Sequence, residues 1–316
     1  MRTKIFKRDV VIVGAGFAGM YMLHKVRKLG LSAVVFEAGN DVGGTWYWNR
    51  YPGARCDAES LAYSFSFSPE LEQQWEWSER YAPQPEILEY ARHVSHRFDL
   101  RKDIRFETRV TLAHYQDDSQ KWQIKTDQGD SVVANFCVMA TGCLSVPQLP
   151  EIPGIQDFNG NLYQASMWPH EPVNFKNQRV GIIGTGSSGI QAIPVIANEA
   201  KHLTVFQRTP NFSVPAKNKQ LDQNWVKEFK KNYRAHRENH KHAIGAGFGD
   251  LTIEPREGPI EPTLRSQISD EEATEILEEA WKTGGAKFMG AITDQLMDKQ
   301  ANQFAKEFVH RKIRET

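Results

Sequence analysis

Apolar and polar positions along this chain follow first the period of strands, then that of helices, and the switches between them mark its segments. Residues 9–13, DVVIV, form a β-branched run that stops at Gly14, which predicts a buried strand closed by a turn. Apolar positions from Phe17 to Leu29 keep helical spacing and stop at Gly30, and Ser32 to Phe36 returns to a strand pattern that closes on Glu37. Strand, glycine turn, helix and strand within about 30 residues make a βαβ unit. Between Ile104 and Met139 three extended runs, split by QDDSQ and DQGD, predict an antiparallel meander. The meander ends in FCVMATG, a strand feeding a turn of small residues, and the Pro-rich VPQLPEIPG at 146–154 reads as a linker.

After the linker the βαβ pattern repeats, with a strand from Val180 to Ile183, a helix from Ser187 to about Asn198 and a strand from Leu203 to Gln207. Beyond Pro215 it stops, and residues 217–316 are polar, charged and helical in period. In SDEEATEILEEAW, Ser269 and Glu272 have the spacing of a capping box, and Gly284 and Gly285 are placed to end that helix. A last helix is expected from Thr293 onward. The duplicated βαβ unit is the sole internal repeat in the sequence.

Composition restricts the partners. Lys plus Arg equals Asp plus Glu at 39 each, so no global field favours nucleic acid or an anionic membrane, and small-molecule partners are expected. The apolar runs fall well below the ~20 residues of a membrane span. Cys56, Cys137 and Cys143 form no CxxC pair and no signal peptide precedes them. That usage argues for a reducing cytoplasm and against a disulfide framework or a dithiol reductase. A cytoplasmic monomer is expected.

The glycines carry the candidate chemistry. In GAGFAG, Gly14 permits the tight turn, Gly16 admits a pyrophosphate to the backbone, and Gly19 lets the helix pack on the strand, with Phe17 and Ala18 in the first helical turn. Glu37, 23 positions after Gly14, is placed to accept hydrogen bonds from ribose hydroxyls. The alternative is a glycine turn that holds no ligand. In GTGSSG, Gly184, Gly186 and Gly189 repeat the spacing around Thr185, Ser187 and Ser188. Here QRTP follows the next strand, placing Arg208 and Thr209 where a guanidinium would pair with a 2′-phosphate and a carboxylate would repel one. NADPH is therefore expected in the second cradle, the alternative being that Arg208 is an ordinary surface arginine. Two dinucleotides with opposite ribose chemistry suggest FAD reduced by NADPH. The stretch GGTWYWNRYPGARCD at 43–57 offers an aromatic wall, including Gly44, Thr45 and Trp46, and a carboxylate, Asp57, to exclude water from a flavin and set charge beside it. The alternative is a packing loop whose tryptophans are core.

On these residues the chain resembles the type I Baeyer–Villiger monooxygenases of the flavin-containing monooxygenase superfamily, along its whole length. The family pattern A/G-G-x-W-x-x-x-x-F/Y-P-G/M-x-x-x-D is matched by Gly44, Trp46, Tyr51, Pro52, Gly53 and Asp57. ATG at Ala140, Thr141 and Gly142, and QRTPNFSVP at 207–215, are also similar to the family. The resemblance implies FAD reduced by NADPH, reaction with O2 to a C4a-peroxyflavin, and conversion of a ketone to an ester or lactone. It further implies that Asp57 is catalytic, keeping the peroxide anionic through an active-site arginine. A second fingerprint, F-x-G-x-x-x-H-x-x-x-W-P/D, is matched at Phe158, Gly160, Trp168 and Pro169, but Gln164 stands at the histidine position. Glutamine hydrogen-bonds but does not titrate near neutral pH, so weakened coupling of the two nucleotide domains is expected rather than loss of a cofactor.

The expected fold is α/β, with an FAD-binding Rossmann-type domain at 1–146, an NADPH-binding one at 147–216 inserted in it, and a helical subdomain at 217–316. A doubly wound domain needs about five or six strands and the second unit predicts only two. With what the resemblance implies for the first domain, the C-terminal completion of both domains is expected to be absent, with poor flavin retention and little or no ketone oxidation by these 316 residues. A nucleotide-binding remnant without turnover is the alternative in another class. An N- or S-oxygenating flavin monooxygenase is a third reading, against which the 43–57 pattern argues. His236, His240 and His242 read as a solvated basic helix face rather than a zinc site, and Trp75 and Trp77 as packing residues. No metal is expected.

Overall fold

The computed structural model describes residues 4–241 and 263–315. The chain divides into two compact units, Met1–Ala54 with Gln84–Asn174, and Arg55–Pro83 with Phe175–Thr316. This division follows packing, whereas the expected segments were drawn by the nucleotide each would bind.

In the first unit β1 (Lys4–Val13) runs through Gly14 into α1 (Phe17–Lys28) and returns as β2 (Ala33–Phe36). The helix buries Gly19, Met20, Leu23 and Val26, the spacing of one helical face. Thr45–Trp48 forms the one-turn α2. A short helix, α3 (Pro69–Gln74), lies in the second unit, and α4 (Gln84–Arg97) returns to the first. The remaining strands of this unit are β3 (Ile104–Arg105), β4 (Val110–Gln116), β5 (Lys121–Thr126) and β6 (Asp130–Met139). Their sheet has the order β3-β2-β1-β6-β5-β4. β6 pairs parallel with β1, then antiparallel with β5, which pairs antiparallel with β4.

The meander is therefore β4 to β6, and Ile104 lies outside it. Ile104–Arg105 pairs parallel with β2, Val35 opposite Ile104, because the extended run is broken at Glu107, whose φ of 51° turns the chain. One core of this unit joins Val11, Val34, Phe36, Ile124, Val132 and Ala134 across four strands.

In the second unit β7 (Arg179–Ile183), α5 (Ser187–Glu199) and β8 (His202–Phe206) form a parallel βαβ with a two-stranded sheet. Helices follow as α6 (Gln223–Lys231), α7 (Tyr233–Lys241), α8 (Asp270–Thr283), α9 (Ala286–Met289) and α10 (Lys299–Arg314). Segment 55–83 is bound into this unit by Arg80, whose Nε meets Glu59 at 2.6 Å with both side chains buried. The Arg80 guanidinium also donates to Thr283 O at 3.1 Å, while its backbone N–H donates to Lys219 O at 2.9 Å. A buried ion pair of this kind is costly to break on one side only.

Ala273, Leu277, Ala280, Phe288, Ile292 and Phe308 build the helical core. Ser269 and Glu272 make the capping box. The last helix begins at Lys299 rather than Thr293: Thr293 N–H is spent on Thr263 O, and Asp298 caps the helix through the N–H groups of Gln300 and Ala301.

Trp77 is buried with its ring edge-on to Trp75 at 5.7 Å, as packing residues are. His236 stacks on Phe229 at 4.1 Å, while the side chain of His240 and all of His242 lie outside the described residues. Among the described residues no cluster of His, Cys, Asp or Glu is placed to hold a metal ion, and no helix is long and apolar enough to cross a membrane. The three cysteines are free thiols.

Removing the cap with Ser269→Ala is expected to cost about 1 kcal/mol, and Leu277→Ala about 2–5 kcal/mol through the cavity it leaves, both read by urea unfolding. Burial pushes the Cys56 thiol up to about 12, whereas Cys143 is exposed. Iodoacetamide at pH ~8 is therefore expected to label Cys143 first and Cys56 only on unfolding, as mass spectrometry of the peptides would show.

Candidate functional site

The first glycine loop lies where three parallel strands end together. Register sets Val13 opposite Phe36 on one side and opposite Met139 on the other, so Gly14, Glu37 and Ala140 emerge side by side. This is the point where strand order reverses about β1, the position at which open parallel sheets form a ligand crevice. Gly14 has φ +102°, and a β-carbon there would stand 2.6 Å from Ala140 O; one on Gly19 would stand 1.9 Å from Gly14 O. Both must be glycine for the turn to close. A β-carbon on Gly16 would meet only Gly44 Cα at 3.5 Å, an ordinary contact. Its missing side chain thus answers no crowding within the chain and leaves room at the N-terminus of α1, where unpaired N–H groups favour an anion.

Glu37 is buried, and its two carboxylate oxygens accept N–H hydrogen bonds from Ala15 at 2.7 Å and Gly39 at 2.8 Å. One acceptor site on each oxygen remains for hydroxyl donors. Ala140 is half-buried beneath the loop, Thr141 and Gly142 are exposed, and Gly142 takes φ +70°. Phe17 is half-buried and Ala18 exposed on the first turn of α1.

The second loop reproduces the first. Gly184 has φ +99°, and its N–H donates to Phe206 O at 2.9 Å as Gly14 N–H donates to Phe36 O at 2.8 Å. Gly189 is held against Gly184 O, 2.5 Å from where a β-carbon would stand, while Gly186 has nothing within 4 Å of that position. The cradle therefore has open space where a side chain would project. The two loops diverge in chemistry after the strand. Ile183 stands opposite Phe206, so the counterpart of Glu37 is Gln207, whose Nε2 donates to Thr185 Oγ1 at 2.8 Å. Counting 23 positions in both repeats identifies this residue in the sequence. A neutral amide replaces the carboxylate, and Arg208 and Thr209 follow, both exposed. Together with Gly184, Thr185, Gly186 and Phe206 they line a cavity of about 380 Å³, within the range of small-molecule sites. Ser187 is exposed and Ser188 half-buried on the first turn of α5.

The 43–57 stretch does two things. Gly43 N–H donates to Ala15 O at 3.1 Å, and a β-carbon on Gly44, at φ +54°, would lie 2.9 Å from Gly16 Cα. The GG pair thus backs the first glycine loop, with Thr45 exposed above it. Trp46 and Tyr47 are buried, and Tyr47 contacts Trp48, His170 and Asn40, so both side chains are spent on packing. Asp57 is exposed and belongs with the second unit, as Gly44, Thr45 and Trp46 do with the first.

In the second fingerprint Gln164 donates from Nε2 to Gln148 O at 2.9 Å, tying the segment to the Pro-rich stretch. Trp168 packs on Tyr163 at 5.4 Å and precedes half-buried Pro169. Phe158 is exposed, and its ring lies 2.6 Å from where a β-carbon on Gly160 would stand.

A family model described as pyridine nucleotide-disulphide oxidoreductase matches residues 11–254. A Baeyer–Villiger monooxygenase of Pseudooceanicola batsensis is 41% identical over 97% of the chain and 55% of its own length. The phenazine N-monooxygenase PhzNO1 of Lysobacter antibioticus is 39% identical over 97% of the chain and 56% of its own length. A solved oxidised steroid monooxygenase bound to NADP superimposes with a TM-score of 0.89 at 49% identity, covering 98% of this chain and 58% of that one. The chain spans about half the length of the curated relatives it matches.

Glu37→Leu is expected to strand the Ala15 and Gly39 N–H groups in a buried place and to destabilise the first unit by about 1–3 kcal/mol for each. Denaturant unfolding without any nucleotide measures it.

Proposed function

The chain belongs to the pyridine nucleotide-disulphide oxidoreductase family and groups there with the Baeyer–Villiger monooxygenases, and from that premise we propose that it serves NADPH- and O2-dependent oxidation of ketones to esters or lactones. The observation that carries this reading is the pair of glycine loops with matching backbones, φ +102° at Gly14 and +99° at Gly184, and opposed chemistry at the following strand end. One presents the buried carboxylate of Glu37, the other neutral Gln207 followed by Arg208. We assign FAD to residues 1–146 and NADPH to 147–216, with 217–316 as a helical support, in a cytoplasmic monomer.

The residues present fit these groups. The absence of a side chain at Gly16 and Gly186, each at a helix N-terminus, admits a diphosphate to backbone N–H donors. Ala140, Thr141 and Gly142 close the far wall of the first crevice. Glu37 accepts from the ribose hydroxyls of FAD, and its charge turns away a 2′-phosphate. Arg208, with the Thr209 hydroxyl, pairs with the 2′-phosphate of NADPH through charge-assisted hydrogen bonds. The flavin, when bound, supplies the hydride acceptor and the ring that activates oxygen. Asp57 supplies fixed negative charge, and Trp46, buried in its packing, holds the GG turn that backs the first cradle.

The phenazine N-monooxygenase among the relatives favours a second reading, oxygenation at nitrogen. Retained FAD, NADP⁺ binding by calorimetry, and gas chromatography of products from cyclohexanone and from phenazine distinguish them. Little or no turnover is expected of these 316 residues, and what product does form is expected to be lactone; an N-oxide in its place overturns the ketone reading, and binding of both nucleotides with neither product points to a nucleotide-binding chain without turnover.

Arg208→Ala is expected to weaken NADPH on the order of tenfold to a hundredfold, the worth of a charge-assisted hydrogen bond, while leaving NADH nearly unchanged in the same titration. Gln164→His is expected to raise the share of NADPH oxidation that ends in product; an unchanged oxidation rate and product yield would sink the idea that Gln164 weakens coupling.

A further inference from the structure

We propose that Gln191 is a positioning residue that ties the second nucleotide loop to the Asp57 loop, so that a dinucleotide seated at residues 184–189 also fixes where Asp57 stands. The proposal rests on the assignment of that loop to a dinucleotide.

Gln191 lies on α5, one turn beyond the glycine loop, and it grips one residue at two points. Its Oε1 accepts the Arg55 N–H at 3.3 Å and its Nε2 donates to Arg55 O at 3.1 Å. A primary amide carries a donor and an acceptor together, so it meets both backbone groups of Arg55 as a neighbouring strand would. The rest of the segment is held from elsewhere in the same unit. Cys56 N–H donates to Ala82 O at 3.1 Å, and the Arg55 guanidinium reaches Glu79 at 2.7 Å and Tyr81 O at 2.8 Å.

Of these attachments, Gln191 alone comes from the helix whose N-terminus forms the cradle. Asp57 follows Arg55 by two residues. An anion ordering the N–H groups of the first turn of α5 restrains Gln191, and through it the Arg55 backbone, which converts occupancy of one site into the placing of a carboxylate outside it.

Hydrogen–deuterium exchange of the 316-residue chain, with and without NADP⁺, tests this. In the unaltered chain NADP⁺ is expected to slow exchange both at 184–191 and at 55–58. In Gln191→Met the slowing at 184–191 remains and that at 55–58 disappears, and without nucleotide the Arg55 amide exchanges about fivefold faster, as the loss of one hydrogen bond allows. Gln191→Leu, which likewise removes both donor and acceptor, is expected to raise the basal Arg55 rate and lose the response to NADP⁺ in the same way. It serves equally if the methionine variant does not fold.

Slowing at 55–58 that survives both substitutions overturns the proposal. So does slowing confined to 184–191 in the unaltered chain, which leaves the nucleotide assignment standing. Slowing at neither segment overturns the nucleotide assignment and the coupling with it.

Discussion

The carbonyl oxygen of Ala140 lies 2.6 Å from where a β-carbon of Gly14 would be, and the first unit is organised around that approach. It follows from the parallel pairing of β1 with β6, which brings Val13 level with Met139. The same pairing on the other side brings Val13 level with Phe36. Three strands thus end on one line, the chain leaves β1 with a positive φ, and α1 starts with its N–H groups turned to the crevice. Any side chain at Gly14 would part the strand ends and tilt the helix, so one hydrogen atom in place of a methyl group controls the geometry of the whole cradle.

The second unit arrives at the same backbone with different side-chain chemistry. In the first loop a buried carboxylate bonds to the turn through backbone N–H groups; in the second a neutral amide bonds to the hydroxyl of Thr185. Both devices brace the loop from the next strand, and both leave a residue without a side chain where a diphosphate would lie. Only the first places a negative charge at the ribose position, and only the second follows it with a guanidinium. On the proposed assignment, the discrimination between a bare and a phosphorylated ribose lies in the strand end rather than in the glycines.

The 43–57 motif is one stretch of sequence with two physical allegiances. Gly43, Gly44, Trp46 and Tyr47 are consumed in backing the first loop and in packing, while Arg55 and Cys56 are fastened to elements of the second unit by Gln191, Glu79 and Ala82. Arg80 and Glu59, buried together, anchor the segment that follows. The carboxylate of the motif therefore belongs to the second unit, and the aromatic residues before it in the chain to the first.

Local features were legible without coordinates. The β-branched run before Gly14, the helical spacing after it, the repeat at Gly184 and the Ser269–Glu272 capping box depend on residues a few positions apart, and period and turn chemistry report such relations directly. The meander was legible for the same reason, apart from Ile104, whose partner is β2. Relations between distant residues were not. That Ala140 closes on Gly14, that Gly44 backs Gly16, and that Gln191 holds Arg55 are matters of register and of side chains meeting across the fold. The sequence by itself determined two glycine cradles and the charges that follow them, because those are written in spacing. Tertiary structure alone decided which backbones approach closely enough to exclude a β-carbon and which unit Asp57 joins, because those depend on contacts between residues as far as 203 positions apart.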